Sequence, residues 1–463
     1  MNLTTIKTDK ATLSNRPTLQ DKLTLREKIS YGYGDLASNF VWGMATSYLL
    51  FFYTDVFGIS AAAVGTLFLL TRIWDAINDP LMGVLIDRTN SKHGKARPYL
   101  LWMAVPFGIL SVLTFITPNF TDTGKLVYAY ITYTLLGMIY TAINLPYGTL
   151  MTMMTRDSGE KAQLGSFRSI GRSIGGIIVA ALTLPLASYL GKGSLQVGFP
   201  FVMTIYSIIG IVLFLLVFKN CKEKITQSIK KEKMPNLKKS IRQMFRNQPW
   251  VVSAVNVLLW FVRLGVMNAI LIYYVNYVLD KPHMVPVYLT LLNVANLVGA
   301  VIAPYLIKRL GNRNSSIGMY SIVVVLLVLL FFVEGQSTIL FALLFFFINV
   351  LIGFGEPANL TMLGDSIDYQ EWKYGERTEG LLYSAYSFAT KFGVAIGSAF
   401  VAYALGWVGY NPDAISDNAI SMIRILMILA PIILTVLEIF VLMFYKLDKT
   451  HGQITKEIAE RNL

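Results

Sequence analysis

The chain has 463 residues, of which 54% are hydrophobic and only 14% are charged. With a mean hydropathy of +0.55, it is too apolar to be a soluble globular protein of this size. Its formal net charge of +13 requires no nucleic-acid partner, because basic loops facing the cytoplasm and anionic lipid account for it. We therefore predict an integral membrane protein that contacts a lipid bilayer and binds no nucleic acid.

Twelve apolar stretches predict membrane-spanning helices, because about 20 apolar residues let a helix cross a hydrocarbon core roughly 30 Å thick. Their expected limits, in chain order, are 33–53, 61–86, 99–117, 126–150, 163–190, 200–219, 249–279, 284–308, 316–334, 338–362, 379–406 and 421–446. The predicted fold class is an all-α integral membrane protein.

Basic residues are concentrated in every second connection of this predicted bundle, and therefore on one side of it. They are dense in residues 1–30, 88–97 and 221–248, whereas the connection TDVFGIS after the first span has none. Loops rich in Lys and Arg stay in the cytoplasm, so both termini are expected there, in a bacterial cell membrane. The segment before Tyr33 lacks the apolar core of a cleaved signal peptide. Cys221 is the only cysteine, which excludes an intramolecular disulfide.

A basic connection in the middle divides the spans into two sets of six. The expected segments are a cytoplasmic N-terminal segment 1–32, an N-terminal half 33–219, a basic linker 220–248, a C-terminal half 249–446 and a cytoplasmic tail 447–463. GVLIDRTNSKHGKARP after the second span and PYLIKRLGNRN after the eighth occupy corresponding places. Two related halves are typical of transporters that rock around a central site.

The first of these two elements resembles the cytoplasmic signature of the major facilitator superfamily. The residues at the expected relative places are Gly83, Asp87, Arg88, Gly94, Lys95 and Arg97. A carboxylate at a helix end that faces Arg and Lys can hold two helices together in one conformation and release them in another. We therefore expect a cytoplasmic gate at Asp87. The alternative is a solvated basic loop with no further role.

Three charged residues interrupt the second span in TRIWDAINDP, namely Arg72, Asp75 and Asp79. Their spacing places them on one helix face, and charges inside a membrane mark functional sites. Two carboxylates with a nearby hydroxyl would suit Na⁺. Alternatively, the proximity of two acids would let one carboxyl carry a proton. A third interpretation is an ion-pair network in which Arg72 merely compensates both acids.

Other spans carry polar groups that could face the same cavity. They are Asp35, Asn39, Tyr140, Thr141, Asn144, Tyr147, Arg168, Arg172, Arg263, Glu356 and Lys391. Aromatic planes mixed with donors and acceptors suit a sugar ring and its hydroxyls, although a single tyrosine more often serves packing or the membrane interface. The Gly171-x-x-x-Gly175 and Gly393-x-x-x-Gly397 spacings predict close helix packing and need no ligand.

Seven motifs, in order along the chain, resemble the glycoside–pentoside–hexuronide:cation symporters, whose best-known member is melibiose permease. They are YGYGDLASNF, FYTDVFGIS, RIWDAINDP, HGKARPYL, YTAINLPYG, GDSIDYQEW and RTEGLLYS, the last followed by Lys391. The resemblance extends from Ser30 to the twelfth span. It implies a major-facilitator fold of two six-helix halves and sugar uptake driven by Na⁺, Li⁺ or H⁺.

By motif position, the resemblance implies a cation site at Asp75, Asp79 and Thr141. The sugar-binding or site-linking positions that it implies are Asn39, Tyr140, Asn144, Arg168 and Lys391. The permease has acids, which bind galactosyl hydroxyls, where this chain has Asn39 and Asn144. Gly148 and Glu356 also stand where that protein has aromatic residues. Asparagines at positions 39 and 144 resemble the glucuronide- and pentoside-transporting branches of the family.

We therefore expect a xyloside or a glucuronide rather than a galactoside. The further charges expected in the pocket are Asp35, Arg72, Arg172, Arg263, Glu356 and Glu379. A cavity that loses two acids and keeps its cations would tolerate a hexuronate carboxylate. If Glu356 or Glu379 neutralises one of those cations, a neutral xyloside or glucoside is equally compatible. Asn144 removes one potential Na⁺ ligand, which favours H⁺ as the coupling ion.

A membrane-embedded enzyme and a non-transporting sugar sensor are the alternatives to symport. The chain has no GxxxxGK[ST] loop, no HExxH and no Cys/His cluster, and the tail after Tyr445 is too short for a signalling domain. We expect no cofactor, no metal other than Na⁺, and a functional monomer whose partners are a small sugar and a monovalent cation.

Overall fold

The computed structural model describes residues 22–155, 157–224, 237–334, 336–375 and 379–461. Within these ranges the chain folds into helices joined by short connections, and the only β-type contact is an isolated bridge between Ser91 and Gly94. The expected all-α class is confirmed.

The N-terminal half contains six spanning segments. Its helices are α1 Leu25–Phe51, α2 Ala61–Arg88, α3 Arg97–Trp102, α4 Ala104–Thr114, α5 Asp122–Met154, α6 Ser158–Leu190 and α7 Leu195–Asn220. The predicted span 99–117 is formed by α3 and α4 together, with a break at Met103. A π-helical turn, Phe52–Val56, extends α1.

The C-terminal half repeats this arrangement. Its helices, with those of the two flanking segments, are α8 Leu237–Arg246, α9 Gln248–Tyr273, α10 Val285–Leu310, α11 Asn312–Val333, α12 Thr338–Gly353, α13 Gly355–Tyr374, α14 Glu379–Trp407, α15 Asp417–Arg424, α16 Ala430–Met443 and α17 His451–Arg461. Helices α12 and α13 form the tenth span, and α15 and α16 form the twelfth. The predicted linker and tail each contain a helix, α8 and α17.

Nine helical segments of the described chain are long and apolar enough to cross a membrane. The first three spans are not among them. Helix α2 carries the charges of TRIWDAINDP, α1 carries Asp35 among other polar groups, and the third span is divided at Met103. Together these segments give the twelve spans that the hydropathy pattern predicts.

In each half, the first and the fifth span pack against each other. In the N-terminal half the first and fifth spans, α1 and α6, pack closely, and in the C-terminal half α9 and α14 do the same. A Cβ added at Gly171 would collide with the Gly32 carbonyl, and one at Gly397 with the Val262 carbonyl. The two glycine spacings therefore lie at helix contacts, as small residues do in membrane proteins.

Because both halves have six spans, α1 begins and α16 ends on the same side of the bundle. We call this side the terminal side, and the opposite side, where α1 turns into α2, the far side. Proline and glycine bend the tenth span at its centre, where Gly353, Gly355 and Pro357 surround the break at Phe354. Glu356 lies at this bend.

Candidate substrate and cation site

A cavity lies between the two halves near the middle of the bundle. It is lined by Trp42, Ala45, Thr46, Phe68, Arg72, Tyr133, Lys391, Val394, Ala395 and Ser398. These residues come from α1, α2 and α5 of the N-terminal half and from α14 of the C-terminal half. A ligand here would contact both halves at once.

Arg72 compensates Asp75 and leaves Asp79 to other partners. Its Nη1 atom lies 2.6 Å from Asp75 Oδ2, and its Nη2 atom donates to the Tyr133 hydroxyl at 3.0 Å. The guanidinium also lies over the Trp42 ring, 4.8 Å from its centre. Arg72 and Asp75 are both buried, so their charges are neutralised in place.

Asp79 lies one turn further along α2 and joins the two halves. The Thr141 hydroxyl of α5 donates to Asp79 Oδ1 at 2.9 Å, and the Lys391 ammonium of α14 forms an ion pair with Asp79 Oδ2. About a third of each side chain of this ion pair is solvent-accessible. Asp79, Thr141 and Lys391, expected from three separate motifs, thus meet at one point.

The side chains near Asp79 on α2 and α5 supply a small set of oxygen atoms. Two carboxylates and one hydroxyl are present, and the described part of the chain has no cluster of three His, Cys, Asp or Glu side chains placed to hold a metal ion. The ammonium of Lys391 lies beside Asp79, on the Oδ2 side of the carboxylate.

Arg168 forms a further ion pair within the N-terminal half. Its Nε atom lies 2.5 Å from Asp35 Oδ2 on α1, and its guanidinium stacks over Tyr147 at 4.8 Å. The Tyr147 hydroxyl donates to the Tyr31 carbonyl at 2.6 Å and lies 3.3 Å from Asp35. These contacts tie α1, α5 and α6 together.

The neutral residues expected to bind sugar lie beside this pair. The amide of Asn144 donates to the Tyr140 hydroxyl at 3.2 Å and to Ser38 at 3.3 Å. Tyr140 stacks on Trp42, with 4.6 Å between ring centres. The Asn39 amide donates to the Asp35 carbonyl within α1, which leaves its side-chain carbonyl oxygen as an acceptor for a ligand.

Arg172 and Glu356 form a second ion pair between the halves. Arg172 Nη2 of α6 lies 2.8 Å from Glu356 Oε1 of α13, with 52% and 39% of the two side chains exposed. From the sequence we expect Glu356 or Glu379 to neutralise a pocket cation, and the structure pairs Glu356 with Arg172. The side chain of Glu379 lies outside the described residues.

Arg263 is not a pocket charge, which corrects the sequence interpretation. Its Nη2 atom lies 3.2 Å from Glu438 Oε2 of α16, and both side chains are fully buried. Nη1 donates to the Thr435 hydroxyl at 2.7 Å, and the guanidinium stacks over Tyr320 at 5.1 Å. The pair lies wholly inside the C-terminal half. Glu438 was missed, although a lone acid in the apolar run APIILTVLEIFVLM was a signal for it.

The basic loop after α2 is organised around an acid that the sequence reading overlooked. The carboxylate of Glu223, just after α7, accepts hydrogen bonds from the backbone N–H groups of Lys95 at 3.0 Å, Ala96 at 2.8 Å and Arg97 at 3.1 Å. These N–H groups begin α3, so Glu223 caps that helix. Gly94 has φ +102°, and a Cβ there would collide with the carboxylate.

The corresponding loop of the C-terminal half has the same design. Asp448, just after α16, accepts from the Arg313 N–H at the start of α11 at 2.7 Å, beside Gly311 with φ +81°. In the N-terminal signature, a Cβ added at Gly83 would meet no neighbouring atom within 4 Å, and Arg88 is exposed. The expected gate carboxylate, Asp87, lies outside the described side chains.

The far side of the interface is closed by a carboxylate that the sequence reading also missed. Asp55 Oδ1, in the π-helical turn after α1, accepts from the Tyr410 hydroxyl at 2.7 Å and from the Tyr277 hydroxyl at 2.9 Å. Tyr277 lies in the corresponding π-helical turn, Tyr274–Val278, after α9. The Thr54 and Tyr273 hydroxyls share a further hydrogen bond of 2.6 Å between the halves.

Comparison with known proteins decides the family. Residues 30–449 match the family described as MFS/sugar transport protein. The chain belongs to this family. It is thus a major-facilitator transporter and not an enzyme, and the expected fold and resemblance are confirmed.

Curated members of the family match nearly the whole chain. The isoprimeverose transporter of Lactiplantibacillus pentosus is 35% identical over 442 residues, which are 94% of this chain and 91% of that protein. The glucuronide carrier protein homolog of Escherichia coli (strain K12) is 33% identical over 465 residues, covering 96% and 97%.

Solved structures show the same fold at low identity. A D-xylose–proton symporter superimposes with a TM-score of 0.61 at 14% identity, covering 88% of this chain and 96% of that one. A bacterial homologue of the lysosomal transporter Spinster gives a TM-score of 0.64 at 11% identity, covering 93% and 97%. At these identities the similarity concerns the family fold alone.

Proposed function

We propose that this chain is a secondary active symporter that imports a glycoside, pentoside or hexuronide together with a proton or Na⁺. A xyloside- or glucuronide-type sugar is favoured over a galactoside. The observation that carries the proposal is the Asp79–Lys391 ion pair, which joins the two halves beside the central cavity. Relatives named for isoprimeverose and for glucuronide support these two sugar classes.

Coupling follows because the Lys391 ammonium can pair either with Asp79 or with the sugar. When no ion is bound, the ammonium compensates Asp79. A proton on Asp79 removes the negative charge, releases Lys391 and leaves the Thr141 hydroxyl beside the neutral carboxyl. The released ammonium then donates to sugar hydroxyls. Ion and sugar therefore favour each other through one side chain, so that downhill ion flow drives sugar accumulation.

We favour H⁺ as the coupling ion because few oxygen donors are free. Asp75 is engaged by Arg72 at 2.6 Å, so Na⁺ would find Asp79 and Thr141 as its main ligands. Hard cations bound by oxygen usually have more ligands than this. A proton needs a single carboxylate oxygen.

We further propose that the terminal side faces the cytoplasm of a bacterium and that the protein acts as a monomer. The basic residues 219–224 and 88–97 lie on that side, as cytoplasmic loops require. In this orientation the Asp55 cluster closes the extracellular end.

The test is sugar-induced alkalinisation of the medium by de-energised cells that express the chain. The panel contains xylosides, glucosides, glucuronides and galactosides, each with and without Na⁺. Alkalinisation with one sugar class confirms proton symport. Sugar-dependent Na⁺ uptake without alkalinisation would replace H⁺ by Na⁺, and no response in either assay would contradict symport.

A further inference from the structure

We propose that α8 lies on the membrane surface as an amphipathic anchor that binds anionic phospholipid headgroups. The helix, Leu237–Arg246, has the sequence LKKSIRQMFR and belongs to the basic connection between the two halves. The proposed symport gives this connection no role beyond orientation. The anchor does not depend on which sugar or ion the cavity takes.

Helix α8 is fixed beside the terminal-side end of a membrane span. A single residue, Asn247, separates it from the segment Gln248–Val278, whose 31 residues make a helix of about 46 Å. A bilayer with its headgroups is about 40–45 Å thick, so this segment ends at the level of the headgroups. The buried Asn247 amide donates to the Ser366 carbonyl of α13 at 2.9 Å, and its oxygen accepts from the Trp250 N–H at 3.1 Å. These bonds hold the corner between α8 and α9.

One face of α8 packs against the C-terminal half. Ser240 and Met244 lie four residues apart, on the same side of the helix, and both are buried. Met244 belongs to an apolar cluster with Ile367 of α13 and Leu382 of α14. Helix α8 is therefore attached to the C-terminal half.

A second face of α8 is apolar and is left exposed by the described residues. Ile241 and Phe245, each one residue further along than the buried pair, are 38% and 66% exposed. The Phe245 ring meets the Trp250 ring at 90°, with 6.1 Å between the ring centres. Aromatic side chains at the ends of spans are typical of the membrane interface. At headgroup level, these apolar side chains can leave water by entering the lipid.

A third face of α8 is basic. Arg242 and Arg246 follow the exposed apolar pair by one residue, and both are exposed. A helix turns by about 100° per residue, so the apolar pair lies between the buried face and the two arginines. The helix contains four basic residues and no acid. Its positive face is therefore complementary to anionic headgroups.

A lipid surface is the partner that suits both exposed faces at once. An amphipathic helix in the interface buries its apolar side chains about 5–10 Å into the boundary of the acyl chains and keeps its basic side chains among the headgroups. Each arginine near an anionic leaflet strengthens binding by about fivefold, so Arg242 and Arg246 together contribute more than about tenfold. A basic loop that is merely solvated needs no apolar pair beside its arginines.

The depth of two positions on opposite faces of α8 tests the proposal. A bimane label is attached to Ile241→Cys or to Lys239→Cys in the full-length chain, in which the native Cys221 is buried. The labelled protein is placed in nanodiscs whose lipids carry brominated acyl chains, which quench bimane on contact. The nanodiscs contain phosphatidylcholine alone or with phosphatidylglycerol. We expect stronger quenching at position 241 than at position 239, and a loss of quenching at position 241 when phosphatidylglycerol is left out.

Charge variants then assign the recognition of anionic lipid to the basic face. In the Ile241→Cys chain, Arg242→Gln/Arg246→Gln should abolish the difference between the two lipid mixtures. The control Lys446→Gln/Lys449→Gln removes two exposed basic residues at the terminal-side end of α16 and should leave the difference unchanged. All of these substitutions are at exposed side chains, so the buried Met244 contact is kept.

Equal quenching at positions 239 and 241 would overturn the insertion of the apolar face, as would an Ile241 label that no brominated lipid quenches because protein covers it. Equal quenching in the two lipid mixtures would overturn the recognition of anionic headgroups. If the arginine variants do not fold, the comparison of lipid mixtures with both arginines present still decides. Because the test involves no sugar, its failure leaves the proposed symport untouched.

Discussion

Two Arg–Glu ion pairs with the same chemistry lie inside the helix bundle in very different surroundings. Arg263 and Glu438 belong to one half, and both side chains are fully buried. Arg172 and Glu356 belong to different halves, and 52% and 39% of their side chains are exposed. The first pair can persist while the halves rock, whereas the second spans the surface along which they must move.

This difference distinguishes charges that stabilise one half from charges that can change partners as the halves move, although both kinds look alike in the sequence. A buried pair inside one half contributes to a rigid body, because breaking it would leave a charge without solvent. A partly exposed pair between halves is weak enough to exchange partners with water, ion or sugar. By the same criterion, we propose that Asp79–Lys391 takes part in the mechanism and that Arg263 belongs to the scaffold.

The largest loss of stability is expected for Glu438→Ala. It leaves the buried Arg263 without its counter-charge, and we expect a loss of about 3–5 kcal/mol in the free energy of unfolding. The measurement is thermal unfolding of the purified protein in detergent. The double variant Arg263→Leu/Glu438→Leu should recover much of this loss, and a double variant as unstable as the single one would contradict the explanation.

Asp55→Ala should open the far side of the interface. It removes the acceptor of the Tyr277 and Tyr410 hydroxyls, each hydrogen bond to a charged group being worth about 1.5–3 kcal/mol. The readout is labelling of Thr46→Cys in the cavity by a membrane-impermeant maleimide added outside cells. Labelling should become faster with Asp55→Ala than without it.

The native thiol gives little background in this experiment. Cys221 is buried, and desolvation raises the pKa of its thiol to about 12, so the reactive thiolate is scarce. A labelling rate that does not change with Asp55→Ala would show that Asp55 does not hold the far side closed.

Two glycines of the basic signature provide a smaller test. Gly94→Ala places a Cβ against Glu223 at φ +102° and should lower the unfolding free energy by about 1–2 kcal/mol. Gly83 is helical with open space around it, so Gly83→Ala should not destabilise the protein. Equal effects in thermal unfolding would argue against the Glu223 cap.

Glu356→Gln should have the smallest effect on stability. Because the Arg172–Glu356 pair is partly exposed, its loss should change the free energy of unfolding by less than about 1 kcal/mol. A loss in thermal unfolding as large as that of Glu438→Ala would erase the distinction between the two pairs.

The fold and the positions of the charges inside the helices could be predicted from the sequence because membrane insertion leaves a strong signal. Charges such as Arg72, Asp75 and Asp79 stand out in apolar runs, and the helical period places them on one face. The spans follow from hydropathy for the same reason, although breaks such as the one at Phe354 do not.

The partners of those charges could not be predicted, because they come from other helices. Arg263 looks like Arg172 in sequence, and only packing against α16 separates them. Glu223 lies in a basic stretch that resembles a solvated loop, and Asp55 lies in a connection, so neither was recognised as a contact. Ion pairing depends on how the helices pack, and the spacing of residues within one helix does not reveal which other helix it contacts.

The most direct test of the central claim compares accumulation with exchange for Asp79→Asn in membrane vesicles. If Asp79 couples the ion to the movement of the halves, the variant should equilibrate labelled sugar across the membrane but should not accumulate it when an ion gradient is imposed. Full accumulation by Asp79→Asn would show that coupling does not pass through the Asp79–Lys391 pair and would contradict this account.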